Sequence, residues 1–230
     1  MFVIHLAAKV GGLFANMNDK VGFFEENLAM NSNIIRMSHK HAVKKLVCVL
    51  STCIYPDETE YPIEANSLHK GAPHPSNEGY AYAKRMCAVQ CRLYNEQFGT
   101  NFVCVVPTNL YGPNDCYSTD SSHVVAALIR RTSELGDGEP LTVWGSGIPL
   151  RQFCYVPDLA CLLLWVLFDP ERHTDLLALL PSEEHSIADL ARSIASNFSD
   201  RQVVFDTTKA DGQYRKCMSN TDLRGLLANF

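Results

Sequence analysis

The sequence predicts an α/β fold: a partial, doubly wound parallel sheet followed by a smaller α+β lobe. Three short β-rich runs, residues 2–6, 45–50 and 102–106, alternate with two long stretches at helical spacing. Parallel strands need crossover connections, so this alternation points to a parallel sheet covered by helices. After Pro107 the texture changes to Gly-, Pro-, Asn- and Asp-rich loops around shorter elements, as expected of a lobe that closes over a ligand at the carboxyl ends of the strands.

The elements follow in order. The run FVIHL is the first buried strand, and it leads into a loop with Gly11 and Gly12. Residues 21–41 place Phe24, Leu28, Asn31 and Ile35 at i+3 and i+4 spacing, which predicts a helix with that face buried. Residues 80–98 predict a second long helix with Met86, Val89, Leu93 and Phe98 inward and Gly99 as its C-cap. Beyond these lie helices over 123–135 and 158–168, a strand over 141–144, a helix over 186–198 and a strand over 203–205. The domain boundary falls near residue 114: 1–114 form the sheet domain and 115–230 the smaller lobe, with 152–170 returning toward the sheet.

Composition narrows the function. The 230 residues are 47% apolar, enough for a substantial core, and the net charge of −5 has both signs interspersed. No basic stripe is available to follow a phosphate backbone, so nucleic acid is not an expected partner. Nine cysteines are scattered, odd in number and without a Cys-x-x-Cys pair, which argues against a zinc site or a disulfide framework and for a reducing, cytoplasmic setting. The longest apolar run, residues 159–168, falls well short of the roughly 20 residues that span a bilayer. The opening MFVIHLAAKVGG lacks the basic start of a signal peptide.

The chemistry-bearing signal is Tyr80-x-x-x-Lys84, with Ser51 after the apolar run LVCVL. Four residues along a helix bring the phenol and the ammonium to one face. A neighbouring cation lowers a phenol pKa, and Ser51 is placed to hold a substrate carbonyl against the tyrosine. These are the parts of a ketone–alcohol redox site. A Tyr and a Lys four apart also occur on any solvated helix, so the pair gains weight only from its surroundings.

Those surroundings resemble a family. HLAAKVGG, LSTCIYP, GYAYAKRM, PTNLYGPND and VWGSGIPLRQFCYVPDLA resemble stretches of the extended short-chain dehydrogenase/reductases, and together they resemble its GDP-L-fucose synthase branch. The resemblance implies a Rossmann-type NADP(H) domain and a substrate lobe, a GDP-sugar substrate and a homodimer formed through the Tyr80–Lys84 helix. It also implies conversion of GDP-4-keto-6-deoxy-D-mannose to GDP-L-fucose by inversion at C3 and C5 and reduction at C4. Protons at C3 and C5 are acidic because both carbons flank the C4 ketone, and inversion needs a base on one face and an acid on the other.

Residue by residue, the resemblance makes Ser51, Tyr80 and Lys84 the reductive set, Cys53 the base and His123, in SSHVVAALIRR, the acid. Cys53 is expected on the same side of an extended segment as Ser51. His5, Leu6, Ala7 and Ala8 would pass the cofactor's pyrophosphate and ribose. Val49, Leu50, Ser51 and Thr52, with Pro107, Thr108, Asn109 and Leu110, would line the nicotinamide, and His123 would border it. Lys84 would also bridge the ribose. Arg131, Trp144, Arg151, Asp211 and Lys216 would hold the GDP-sugar.

The family begins with a strand, a glycine-rich turn and a helix whose N-terminus holds the cofactor pyrophosphate. Such a turn is absent from the sequence, and Gly11-Gly12 follow the strand that the family places fourth. The expectation is a chain without the first strands, ending at Asn229-Phe230 ahead of the family's terminal helix. Two alternatives stay open at this stage: another extended nucleotide-sugar epimerase or dehydratase, and a catalytically incompetent chain that binds GDP-sugar or a partner subunit.

Overall fold

The computed structural model describes residues 1–119, 122–169, 175–181, 183–198, 201–209, 211 and 213–227. Asn229 and Phe230 lie outside them. The main sheet holds β1 (Phe2–His5), β2 (Lys45–Val49), β3 (Phe102–Pro107) and β8 (Leu176–Leu179), adjacent in that order and all parallel. The sequence predicts the first three; β8 is an addition.

The strands show why this sheet sits between two layers. Side chains alternate across a strand. Leu46, Cys48, Phe102, Cys104 and Val106 face a core shared with α2 (Lys20–Lys40) and α3 (Glu78–Phe98). Val47, Val103 and Val105 face the other core, against α5 (Val156–Phe168) and α7 (Thr221–Leu227). Both faces are buried, so the strands read as continuous apolar runs.

Both long helices form; α2 buries Asn31 and Ile35 as the sequence suggests but is shifted in its first turns, and α3 turns a different face inward. In α2 the buried residues are Phe23, Asn27, Asn31, Ile35 and Ser38, one position off the predicted Phe24 and Leu28. In α3 the buried face is Ala81, Ala83, Lys84, Arg85, Cys87, Cys91 and Asn95. Met86, Leu93 and Phe98 are exposed. Helix against helix packing favours the small residues of α3, which let α2 approach closely, so the bulkier apolar stripe faces outward.

Gly99 ends α3 with φ of +64°, in the left-handed region that favours glycine. Asn95 in the last turn donates to the Phe102 carbonyl at 2.7 Å and accepts from the Phe102 amide at 2.9 Å, which fixes the turn into β3. A short α1 (Leu13–Asn18) precedes α2.

The smaller lobe is built from α4 (Val124–Glu134), β5 (Leu141–Trp144), α6 (Ile187–Ser196) and β10 (Val203–Asp206), with β5 and β10 parallel. Leu128, Leu141, Val143, Ala191 and Ala195 form its core. Three small pairings lie outside the main sheet. The strand β4 (Asn109–Tyr111) runs beside β7 (Phe153–Tyr155), and β6 (Leu150–Arg151) lies between β9 (His185–Ser186) and β11 (Arg215–Lys216). No helix among the described residues is long and apolar enough to cross a membrane.

Candidate active site

The carboxyl ends of β1, β2 and β3 open into a cavity of about 340 Å³. Ser51, Cys53, Tyr80, Lys84 and His123 all line it, as does Lys216 from β11. The apolar part of the wall is Leu6, Ala8, Val10, Val49, Leu50, Pro107 and Leu110; Thr52, Thr108 and Asn109 add polar edges.

The segment after β2 is not extended. Residues Thr52–Ile54 form a 3-10 turn capped by Ser51, whose Oγ accepts from the Cys53 amide at 3.4 Å. Ser51 and Cys53 therefore meet because a serine caps a turn, not because two strand positions share a face. Arg85, buried on α3, ties this turn to the helix: its guanidinium donates twice to the Ile54 carbonyl and once to the Gly71 carbonyl at 2.9 Å.

Glycine at the start of α3 sets where Tyr80 stands. A β-carbon on Gly79 would lie 2.2 Å from the Lys20 carbonyl oxygen, so only glycine lets α3 and α2 begin this close together. One position on, the Tyr80 ring meets Phe23 edge-on with centroids 6.4 Å apart.

The expected tuning of Tyr80 by Lys84 is not what the geometry shows. Lys84 Nζ donates to the Val49 carbonyl at 2.9 Å and lies 5.9 Å from the Tyr80 ring centroid. Burial pushes the Tyr80 phenol well above its ordinary value, with Cys53 adding to the effect, and burial pushes Lys84 down. Desolvation outweighs the neighbouring charge. Burial also pushes the Cys53 thiol up; the opposing influences are Lys216 first, then its contact with Ser51, then Lys84.

His123 is the exposed N-cap residue of α4: its carbonyl accepts from the Ala127 amide, and its side chain makes no capping bond. Two of the expected cofactor residues stand elsewhere. His5 is buried, with Nε2 against Asn31 Oδ1 of α2 at 2.9 Å, and Ala7 is not part of the wall, whereas Leu6 and Ala8 are. The alternation of side chains at a strand end divides the four between two sides.

Of the residues expected to hold the substrate, Lys216 lines the cavity, and Arg151 is its direct partner across the β6–β11 pairing. Burial holds both below their ordinary values, and Arg151 further lowers Lys216. Arg131, Trp144, Arg151 and Asp211 lie outside the cavity walls. The Arg131 guanidinium stacks over the exposed Trp144 ring, 4.5 Å from its centroid, and forms an outer cationic platform. Asp211 braces the loop after β5: its two oxygens accept from the Ser146 amide at 2.8 Å and the Ser146 hydroxyl at 2.7 Å.

Sequence reasoning passed over three contributors. Asn16 and Asn77 line the cavity, and each keeps a buried Oδ1 without a partner. Gln152 is fully buried beneath it and joins four segments: its amide donates to the Pro181 and Met218 carbonyls and accepts from the Met218 amide, while its carbonyl accepts from Thr108 and Asn109. Its position inside RQFCYV was the available signal.

These residues fit the nicotinamide and ribose portion of a dinucleotide. The apolar wall suits a flat ring, Lys84 has donors to spare beyond Val49, and Asn16 and Asn77 add amide groups to the wall.

The NAD dependent epimerase/dehydratase family model matches residues 1–176. The GDP-L-fucose synthase of Dictyostelium discoideum is 49% identical over 228 residues, spanning 98% of this chain and 71% of that protein. The chain belongs to the GDP-L-fucose synthase branch of this epimerase/dehydratase family. Another member of the branch, the probable GDP-L-fucose synthase of Drosophila melanogaster, is 43% identical over 99% of this chain and 74% of its own length. A crystal structure of the Naegleria fowleri GDP-L-fucose synthetase bound to NADP superposes with a TM-score of 0.91 at 44% identity, covering 99% of this chain and 70% of that one.

Proposed function

We propose that this cavity converts GDP-4-keto-6-deoxy-D-mannose to GDP-L-fucose by epimerisation at C3 and C5 followed by reduction at C4 with NADPH. The carrying observation is the convergence of Ser51, Cys53, Tyr80, Lys84 and His123 on one cavity at the strand ends. NADPH, when bound, supplies the hydride for C4. Val49, Leu50, Pro107 and Leu110 would flank its nicotinamide, and Lys84 its ribose.

Ser51 and Tyr80 hydrogen-bond the C4 oxygen, which stabilises the enolate formed when a C3 or C5 proton leaves. Tyr80 keeps its proton because burial raises its pKa, so it remains able to donate when the C4 oxygen becomes an alkoxide. Cys53 removes the proton from one side, with Lys216 as the largest influence favouring its thiolate. His123 returns a proton from the other. Lys216 and Arg151 receive the diphosphate, and the Arg131–Trp144 platform receives the nucleotide. The outward stripe of Met86, Leu93 and Phe98 on α3 supports a homodimer through that helix.

The test is turnover of GDP-4-keto-6-deoxy-D-mannose with NADPH, read as cofactor oxidation and GDP-L-fucose formed. Tyr80→Phe should abolish reduction and spare binding of GDP and NADPH. Binding of GDP by the unsubstituted chain without any binding of NADPH would overturn the reductase reading.

A further inference from the structure

Four cysteines that are remote in sequence meet in the core below the cavity. Cys48 on β2 and Cys104 on β3 are register partners, so their side chains leave the sheet on one face. Cys87 and Cys91 lie one turn apart on the buried face of α3, which covers that face. All four are 0–1% exposed. The sulfurs of Cys48, Cys87 and Cys91 lie within 4.8 Å of one another, and Cys104, the register partner of Cys48, faces the same core.

The spacing is that of a metal site. A tetrahedral zinc–sulfur bond of about 2.3 Å places neighbouring sulfurs about 3.8 Å apart. The Cys91 and Cys48 sulfurs are 3.9 Å apart. Among the described residues the other buried cysteines, Cys53, Cys154 and Cys217, show no such convergence. An all-thiol donor set selects thiophilic ions over magnesium or calcium.

We propose that Cys48, Cys87, Cys91 and Cys104 form a structural thiolate site for a thiophilic divalent cation, zinc in the first instance. On binding, the four thiols release their protons to solvent and four sulfur–metal bonds form, with no change of oxidation state. The site lies in the core between α3 and the sheet. It pins α3, the carrier of Tyr80 and Lys84, to β2 and β3 directly beneath Ser51.

The experiment is metal analysis of the chain purified from zinc-supplemented cells, with X-ray absorption at the zinc edge. One zinc per chain with a sulfur-only shell at about 2.3 Å is expected. Cobalt(II) refolded into the protein should show the bands of a tetrahedral thiolate complex. Cys87→Ser/Cys91→Ser should lose the metal, and Cys116→Ser/Cys161→Ser, at the two exposed cysteines, should keep it. Protein without stoichiometric metal, or a shell containing nitrogen or oxygen, overturns the proposal. So does metal lost on changing the exposed cysteines. If the α3 double variant does not fold, the absorption spectrum of the unsubstituted protein still decides.

Discussion

Lys84 donates its ammonium proton to the Val49 carbonyl at 2.9 Å, 5.9 Å from the centre of the Tyr80 ring it was expected to tune. Burial moves the two groups in opposite senses: Lys84 falls below 10.5 and Tyr80 rises above 10.0. In the proposed mechanism both act protonated, Lys84 as a cation and Tyr80 as a donor. As pH rises, Lys84 gives up its proton first, so the alkaline limb of kcat/KM should belong to Lys84 and lie below the ordinary lysine value. Lys84→Arg keeps the charge and should move that limb upward. A pH–rate profile with an unmoved limb would assign it to another group.

The same burial makes Lys84 a cost to the fold. Between its lowered folded pKa and its unfolded value, the unfolded chain binds more protons, so stability should rise with pH across that window. Lys84→Met should raise stability at neutral pH by about 1 kcal/mol while abolishing reduction. Denaturant titration at pH 7 and pH 10 checks both signs, because the gain should shrink at the higher pH.

The sequence carries the sheet and the reactive set unevenly, and the reasons are physical. Strands β2 and β3 are legible because both their faces are buried, and Gly99 marks the end of α3 through a left-handed turn. The inward faces of α2 and α3 are not, since close helix contact buries Ala81, Ala83 and Cys87 and leaves Met86 and Leu93 outside. Motif likeness picks out Ser51, Tyr80 and His123, which line one cavity. It does not reveal that Asp211 braces Ser146, that Gln152 anchors the cavity floor or that four cysteines from three elements converge, because each depends on long-range pairing.

Epimerisation should be separable from reduction. Cys53→Ala should lose solvent-deuterium exchange at C3 and C5 of the substrate by 100-fold or about that order, the usual worth of one acid–base group. Because burial raises the Cys53 thiol, exchange in the unsubstituted chain should climb with pH through the neutral range. His123→Asn should slow reprotonation while leaving binding intact. Mass spectrometry of recovered substrate reads the label, and full exchange in both variants would remove these residues from the proposed roles.

Gly79→Ala tests the placement of Tyr80. The new methyl carbon would sit 2.2 Å from the Lys20 carbonyl oxygen, a backbone atom that cannot rotate away. The starts of α2 and α3 must part, at about 2 kcal/mol of stability. Thermal unfolding should show the loss, and kcat should fall more than KM rises because Tyr80 is the next residue.

Gln152→Leu keeps nearly the same volume but removes every side-chain bond at a fully buried position. The Met218 amide loses its acceptor, and the Pro181 and Met218 carbonyls lose a donor. A buried group left unpaired costs its whole desolvation, so the loss should reach about 3 kcal/mol, more than for a surface change. Met218 lies two residues from Lys216, and Arg151 is adjacent to Gln152 in sequence and pairs with Lys216. Loosening this anchor should therefore raise KM for the GDP-sugar more than it alters NADPH binding. Equal effects on both ligands would mean that Gln152 supports the fold as a whole and not the diphosphate side of the cavity.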